Sequence, residues 1–310
     1  MQTNRAFLIH AYGGPEVTQQ GEAPIPTPGA GEVLVQVKAA GVNGLDWKVR
    51  DGLLRGAFAL PLPAVLGVEL AGVVTQTGPG VSRLKVGDRV MGSMNGLGAY
   101  ADFVAVDEAN LSLTPQALTD VEAAALPVAA LTARQALAAA GGLRPGQRVL
   151  IHGAAGGVGG LAVQFAKAAG AIVLATASGA SRDHVLDLGA DVVIDRNAER
   201  FEDRAKDVNL VLDLVGGEIL DRSWPVLAPG GAIVSTAAPD IAARTPAGRR
   251  GLWLSMRPDA ALLGEIAEAV AAGAVRSTLA EVVDLAGLSA AIERNKTGHA
   301  PGKIVVDLTR

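Results

Sequence analysis

The sequence predicts an α/β protein in which a doubly wound parallel sheet is joined to a smaller β-rich, barrel-like region. Three observations carry this expectation. From about Leu126 onward, short apolar runs alternate with helical stretches, as strands connected through helices do. Before that point the chain is rich in Gly and Pro and its apolar runs are short. Hydrophobic residues make up 49% of the 310 residues but aromatics only 3%, and small aliphatic side chains suit helices packed closely on a parallel sheet.

Taken in order, residues 33–39, 73–77, 89–92 and 100–106 read as strands. Turn signals separate them, among them Gly13-Gly14-Pro15, Pro26-Thr27-Pro28-Gly29 and Gly78-Pro79-Gly80. Residues 148–152 form a short apolar strand, 157–169 a helix, 171–176 a second strand and 180–188 a second helix. Further strands follow at 191–194, 208–212 and 232–235. Beyond about residue 261 come a helix, an extended stretch over 275–284, a helix over 288–296 and a final strand over 303–308. The expected organisation is therefore a barrel-like domain over 1–125, a parallel-sheet domain over 126–260, and a tail, 261–310, of the size to return to the first domain.

Several function classes are excluded by composition. A net charge of -4 is not the basic footprint of a nucleic-acid binder. Apolar stretches are interrupted by Gly, Pro or charge, so no membrane span is expected. Met1 to His10 lacks the basic and apolar regions of a signal peptide, and the expectation is a cytoplasmic protein. Cysteine is absent, which removes disulfides, thiolate nucleophiles, iron–sulfur clusters and Cys-based zinc sites. Four His, at positions 10, 152, 184 and 299, leave little from which to build a His-based metal site.

The strongest motif is Val149-Leu150-Ile151-His152-Gly153-Ala154-Ala155-Gly156-Gly157-Val158-Gly159. It follows an apolar strand and opens an Ala-rich helix, the context a dinucleotide-binding turn needs. A diphosphate must approach backbone N–H groups at a helix N-terminus, and side chains would block it. Gly153, Ala155, Gly156, Gly157, Val158 and Gly159 are therefore the expected cofactor contacts. The second strand runs into Leu174-Ala175-Thr176-Ala177-Ser178-Gly179. A site preferring NAD places Asp or Glu near here for the ribose 2′-hydroxyl; this strand has none. Ser178 and Arg182 can instead receive a 2′-phosphate, so the expected cofactor is NADPH. The bland alternative makes Arg182 a solvated helix-face charge.

With these residues in place the chain resembles the medium-chain dehydrogenase/reductase superfamily, in its zinc-free quinone oxidoreductase (ζ-crystallin-like) branch. The resemblance rests on Gly41-Val42-Asn43-Gly44-Leu45-Asp46-Trp47-Lys48-Val49-Arg50-Asp51-Gly52, Gly67-Val68-Glu69-Leu70-Ala71-Gly72, Val86-Gly87-Asp88-Arg89-Val90, Gly98-Ala99-Tyr100-Ala101-Asp102, Leu126-Pro127-Val128-Ala129-Ala130-Leu131-Thr132-Ala133, the glycine turn, and Gly302-Lys303-Ile304-Val305. It implies a chaperonin-10-like barrel as catalytic domain, a Rossmann cofactor domain and an active-site cleft between them. Zinc alcohol dehydrogenases of the superfamily carry Gly-His-Glu where this chain has Gly67-Val68-Glu69, and Val cannot ligate a metal. Without a Lewis acid, the implied acceptors are quinones and α,β-unsaturated carbonyls.

The resemblance also implies site residues. Asn43, Asp46 and Lys48 lie on the segment that faces nicotinamide and substrate in this family. Asn43 could donate its amide to a carbonyl, and Lys48, where many members have Tyr, could donate to a developing oxyanion. Alternatively Asp46 is the N-cap of a surface helix that also carries Lys48. Thr132 matches a position near the cofactor, or is a buried helix hydroxyl. Lys303 matches a cofactor contact, or is an edge-strand charge. Tyr100 reads as barrel core, His152 as a packed ring, His299 as solvated, and Asp213 as a strand-end carboxylate at the ligand edge or a cap. Family members pair through the edge of the cofactor sheet, so a homodimer is expected, with residues 251–256 as edge strand. Two other readings stand beside the leading one. A non-catalytic cofactor-binding relative would turn nothing over. An enoyl-thioester reductase would need a basic patch, for which Arg244, Arg249 and Arg250 are candidates.

Overall fold

The computed structural model describes residues 3–56, 60–298 and 301–310; His299 lies outside the described residues. The chain begins with strands β1 (Thr3–Ile9), β2 (Thr18–Pro24) and β3 (Glu32–Gly41), followed by helix α1 (Gly44–Arg50). Strands β4 (Ala64–Val65), β5 (Glu69–Thr77), β6 (Arg89–Ser93), β7 (Phe103–Asp107) and β8 (Leu111–Leu113) come next. Helices α2 (Asp120–Ala124) and α3 (Pro127–Ala139) lead to β9 (Arg148–His152) and α4 (Gly157–Ala168). The alternation continues through β10 (Ile172–Ala177), α5 (Arg182–Asp187), β11 (Val192–Asp195), α6 (Phe201–Arg204), β12 (Val208–Asp213), α7 (Glu218–Ser223), β13 (Leu227–Ser235), α8 (Ile241–Arg244) and β14 (Arg250–Trp253). Helix α9 (Ala260–Ala271), β15 (Leu279–Val283), α10 (Leu288–Thr297) and β16 (Lys303–Asp307) complete the chain.

Two compact units result. One comprises Met1–Val128, Pro258–Ala274 and Leu279–Arg310; the other Ala129–Arg257 and Val275–Thr278. In the first, among the described residues, a seven-stranded sheet runs β15-β16-β3-β5-β6-β8, with β7 also on β3, and a three-stranded sheet runs β2-β1-β4. Strand β16 lies antiparallel to β3, so the C-terminal strand is built into the sheet of the N-terminal one. The core between these sheets is aliphatic, with Val33, Val35, Leu66, Leu70 and Ile304 fully or almost fully buried. The expected strand over 100–106 begins only at Phe103. Tyr100 and Ala101 pair with β1 instead, through the Phe7 N–H to the Tyr100 carbonyl and the Ala6–Ala101 bridge.

In the second unit, six parallel strands take the order β11-β10-β9-β12-β13-β14. This is the doubly wound order whose switch point lies between β9 and β12, at the carboxyl ends of the strands. Val149, Leu150 and Ile151 are completely buried, as a central parallel strand covered on both faces requires.

Candidate functional site

The turn after β9 is built for close approach. Gly153 has φ +73°, a conformation that side chains disfavour, and its carbonyl accepts the Gly156 N–H. A Cβ on Gly159 would stand 2.2 Å from the Gly153 carbonyl oxygen and 2.7 Å from the Ala154 Cα, so the turn can fold back on α4 only with Gly there. Gly156 differs. A Cβ there would meet nothing nearer than the Gly153 oxygen at 3.5 Å, ordinary contact. The fold therefore tolerates a side chain at the helix N-cap, and the space a methyl would fill is open to a ligand. Among the described residues no side chain caps α4, and its first turn contains no acidic residue. Its leading N–H groups and dipole are thus available to an anion. Gly153, Ala155, Gly156, Gly157 and Val158 are half-buried around this turn, and Gly159 is buried beneath it.

At the end of β10 the structure adds to the sequence reading. Ser178 and Ser181 hydroxyls are 3.1 Å apart, and Arg182 Nη1 donates to the Val193 carbonyl at 2.8 Å. Arg182 is therefore anchored on β11, not wholly solvated, and among the described residues its guanidinium forms no ion pair. No carboxylate ends β10, but one arrives from the neighbouring strand. Asp195 is in register with Ala177, and its Oδ2 lies 2.6 Å from where a Gly179 Cβ would be. Parallel pairing, not spacing along β10, brings Asp195 in. Arg196 follows it, exposed, with its backbone N–H bonded to the Ala177 carbonyl.

The segment 43–48 is held by a buried polar network. Asn43, in extended conformation, is the N-cap of α1, and Asp46 is the third helical residue. The alternative that made Asp46 the N-cap is corrected accordingly: its Oδ2 reaches back to the Asn43 N–H at 2.7 Å. The same oxygen accepts from the Tyr100 hydroxyl at 2.7 Å, while Oδ1 is buried with no partner among the described residues. Burial pushes the Asp46 carboxyl up to about 6, against the opposing pull of Tyr100, the Asn43 N–H and Lys303. Burial, reinforced by Asp46, raises the Tyr100 phenol well above its ordinary value, so it remains a donor.

Lys303 is neither an edge-strand charge nor free to reach a cofactor. It sits on β16, between β15 and β3, and is 6% exposed. Its ammonium donates to the Val42 carbonyl at 2.9 Å, Asn43 Oδ1 at 2.8 Å and Glu69 Oε1 at 2.5 Å. Three protons meet three acceptors, and none is left over. Both amide protons of Asn43 are likewise engaged, by Gly41 O at 3.1 Å and Glu69 Oε1 at 2.8 Å. Glu69 Oε2 accepts the Val128 N–H at 2.6 Å, in the first turn of α3. Glu69, fully buried, is the hub that the sequence reading passed over; its signal lay in Gly67-Val68-Glu69, read there only for the missing His. Lys48 is half-buried, with Nζ 5.5 Å from the Trp47 ring centroid and no ion-pair partner among the described residues.

Thr132 is a buried residue of α3. Asp213 caps the loop after β12, accepting the Val215 and Gly216 N–H groups and the Ser235 hydroxyl. Arg244 pairs with Asp221 at 2.7 Å, and Arg249 and Arg250 donate to the Leu227 and Ala140 carbonyls. Among the described residues no three His, Asp or Glu side chains converge as metal ligands would, and the chain has no Cys.

Comparisons with known proteins agree with this geometry. The alcohol dehydrogenase GroES-like domain family matches residues 29–116, and the family described as zinc-binding dehydrogenase matches residues 188–306. The chain is 32% identical to the chloroplast envelope quinone oxidoreductase homolog of Arabidopsis thaliana, over 97% of this chain and 98% of that protein. It is 37% identical to erythronolide synthase EryA2 of Saccharopolyspora erythraea over 89% of its own length, but spans only 8% of that protein. Among solved structures, Escherichia coli quinone oxidoreductase complexed with NADPH is similar at a TM-score of 0.89 and 29% identity, covering 98% of this chain and 99% of that one. Near-complete coverage by a quinone oxidoreductase relative, with the glycine turn and the substituted Gly67-Val68-Glu69 motif, leads to one conclusion: the chain belongs to the zinc-free quinone oxidoreductase branch of the medium-chain dehydrogenase/reductase superfamily.

Proposed function

We propose that this chain is an NADPH-dependent oxidoreductase that transfers a hydride to a quinone or an α,β-unsaturated carbonyl without a metal. The observation that carries the reading is the turn 153–159, where the N-cap glycine is not demanded by packing and the helix behind it has no cap and no acidic first turn. The NADPH held by the Escherichia coli relative supports the same choice of cofactor.

The chain's own residues divide the work. The N-terminus of α4 receives the diphosphate, as helix N-termini receive anions generally. Ser178 and Arg182 take the 2′-phosphate, with Arg182 held in place by the Val193 carbonyl. Thr132 borders the cofactor. Asn43 and Asp46, whose polar atoms are spent on the network, fix the segment that carries Lys48. Lys48 retains donors for the oxygen on which charge develops. Bound NADPH supplies the hydride. We further assign the protein to the cytoplasm and to a homodimer. Strand β14 ends the parallel sheet, and its outer edge carries no strand among the described residues.

The competing enoyl-thioester reading draws support from the identity to erythronolide synthase. Its basic patch is weak here, because Arg244 is committed to Asp221 and the Gly217 carbonyl. Oxidation of NADPH followed against quinones, enones and enoyl thioesters separates the readings. The proposal expects turnover with the first two classes. Turnover of thioesters alone would reassign the substrate, and no turnover with any acceptor would make the protein a cofactor binder.

A further inference from the structure

A second polar chain lies beneath the glycine turn. His152, the last residue of β9, is 1% exposed; its ring meets the Phe201 ring edge-on at 4.7 Å. Its Nδ1 is 3.1 Å from Thr176 Oγ1 and its Nε2 is 3.0 Å from Ser223 Oγ. The direction of these bonds follows from the far end. Ser223 spends its only proton on the Ile219 carbonyl at 2.6 Å, so toward His152 it can only accept. Nε2 must then carry a proton; in a neutral ring Nδ1 is therefore bare, and the Thr176 hydroxyl donates to it. The ring is neutral: burial, the largest influence on it, lowers its pKa to about 4.

The relay is anchored on the turn from both sides. Thr176 uses its hydroxyl on His152 and its carbonyl on the Ala154 N–H. One residue of β10 thus grips the chain before and after Gly153, whose positive φ makes it the pivot of the turn. At the other end Ser223 belongs to α7. The loop leading to α7 carries Leu214 and Val215, which stand 3.6 and 3.5 Å from where a Gly153 Cβ would be. We infer that His152 is a positioning residue, whose neutral ring with its proton on Nε2 locks the glycine turn onto β10 and α7 and so sets the affinity for NADPH. The inference rests on the cofactor reading above.

Two measurements test it on the whole protein. The imidazole 15N resonances of His152 at neutral pH should show a proton on Nε2 and a bare Nδ1; the opposite tautomer, or a charged ring, overturns the inference. Removing the relay should loosen the turn without touching the chemistry. His152→Phe keeps the aromatic volume, and Thr176→Val keeps the backbone carbonyl, so a folding failure of one leaves the other. Each should raise the Kd and KM for NADPH by about tenfold, the scale of one lost hydrogen bond, with kcat nearly unchanged. His152→Gln, which can still donate to Ser223, should recover part of the loss. Folded variants with unchanged NADPH affinity, or with kcat falling while KM stays put, overturn the inference alone. Wild-type protein that does not bind NADPH overturns the cofactor reading, and this inference with it.

Discussion

An ammonium group has three protons, and the fold uses all three of those on Lys303. That saturation separates two kinds of polar residue in this chain. Lys303, Glu69, Asn43 and Asp46 spend themselves on one another and on backbone, whereas Lys48 and Arg182 keep donors to offer. The sequence marked most of these positions but not their employment. Lys303 and Glu69 are 234 residues apart, and no local spacing reveals such a pair. Asp195 reaches Gly179 through parallel register, equally invisible along the chain. Cofactor choice is the residue-scale test. A charged hydrogen bond contributes roughly 1.5–3 kcal/mol. With Nη1 already given to Val193, Arg182→Ala should fall at the lower end and raise KM for NADPH by about tenfold. KM for NADH should barely change in the same steady-state assay. Equal losses with both cofactors would make Arg182 a structural residue.

At the scale of elements, the parallel sheet was the most legible part. The strand expected over 148–152 coincides with β9, and α4 ends one residue before its expected end. These elements carry strong local signals: a continuous apolar run, then a glycine turn, then Ala-rich helix. Strands β1 and β2 went unread for physical reasons. Ala6 to Ile9 is buried at every position, so β1 has no alternation, and β2 is polar, largely solvent-facing and interrupted by Gly21. Strand β8 has three residues, too few for a pattern. The glycine turn separates two roles by substitution. Gly159→Ala forces a clash with backbone and should lower the thermal midpoint as well as abolish NADPH binding. Gly156→Ala meets only ordinary contact, so it should melt like wild type yet bind NADPH at least tenfold or so more weakly. Thermal melts and NADPH titrations of both proteins check this. A Gly156→Ala protein with normal affinity would show that no ligand needs that space.

For the whole molecule, the two units should answer acid in opposite ways. In the second unit His152 titrates at about 4 when folded, against 6.5 ordinarily. Between those values the unfolded chain holds a proton that the folded one lacks, so this contribution is full above pH 6.5 and is lost on acidification toward 4. In the first unit Asp46 titrates at about 6 when folded, against 3.8 ordinarily. There the folded chain holds the extra proton, so stability rises as pH falls from about 6 toward 4. Each effect is worth about 3 kcal/mol over its window. Hydrogen exchange, corrected for intrinsic rates, should show β9 and β12 losing protection from pH 6.5 to 4 while β3 and β5 gain it. Asp46→Asn should remove the gain in β3 and β5 only; parallel loss in both units would refute the assignment. The proposed catalysis is tested most directly by kcat/KM for NADPH and for NADH with a single quinone acceptor, using protein dialysed against a metal chelator. Turnover should be undiminished after dialysis, with a clear preference for NADPH. Activity that disappears with the chelator and returns with zinc, or a preference for NADH, would contradict it.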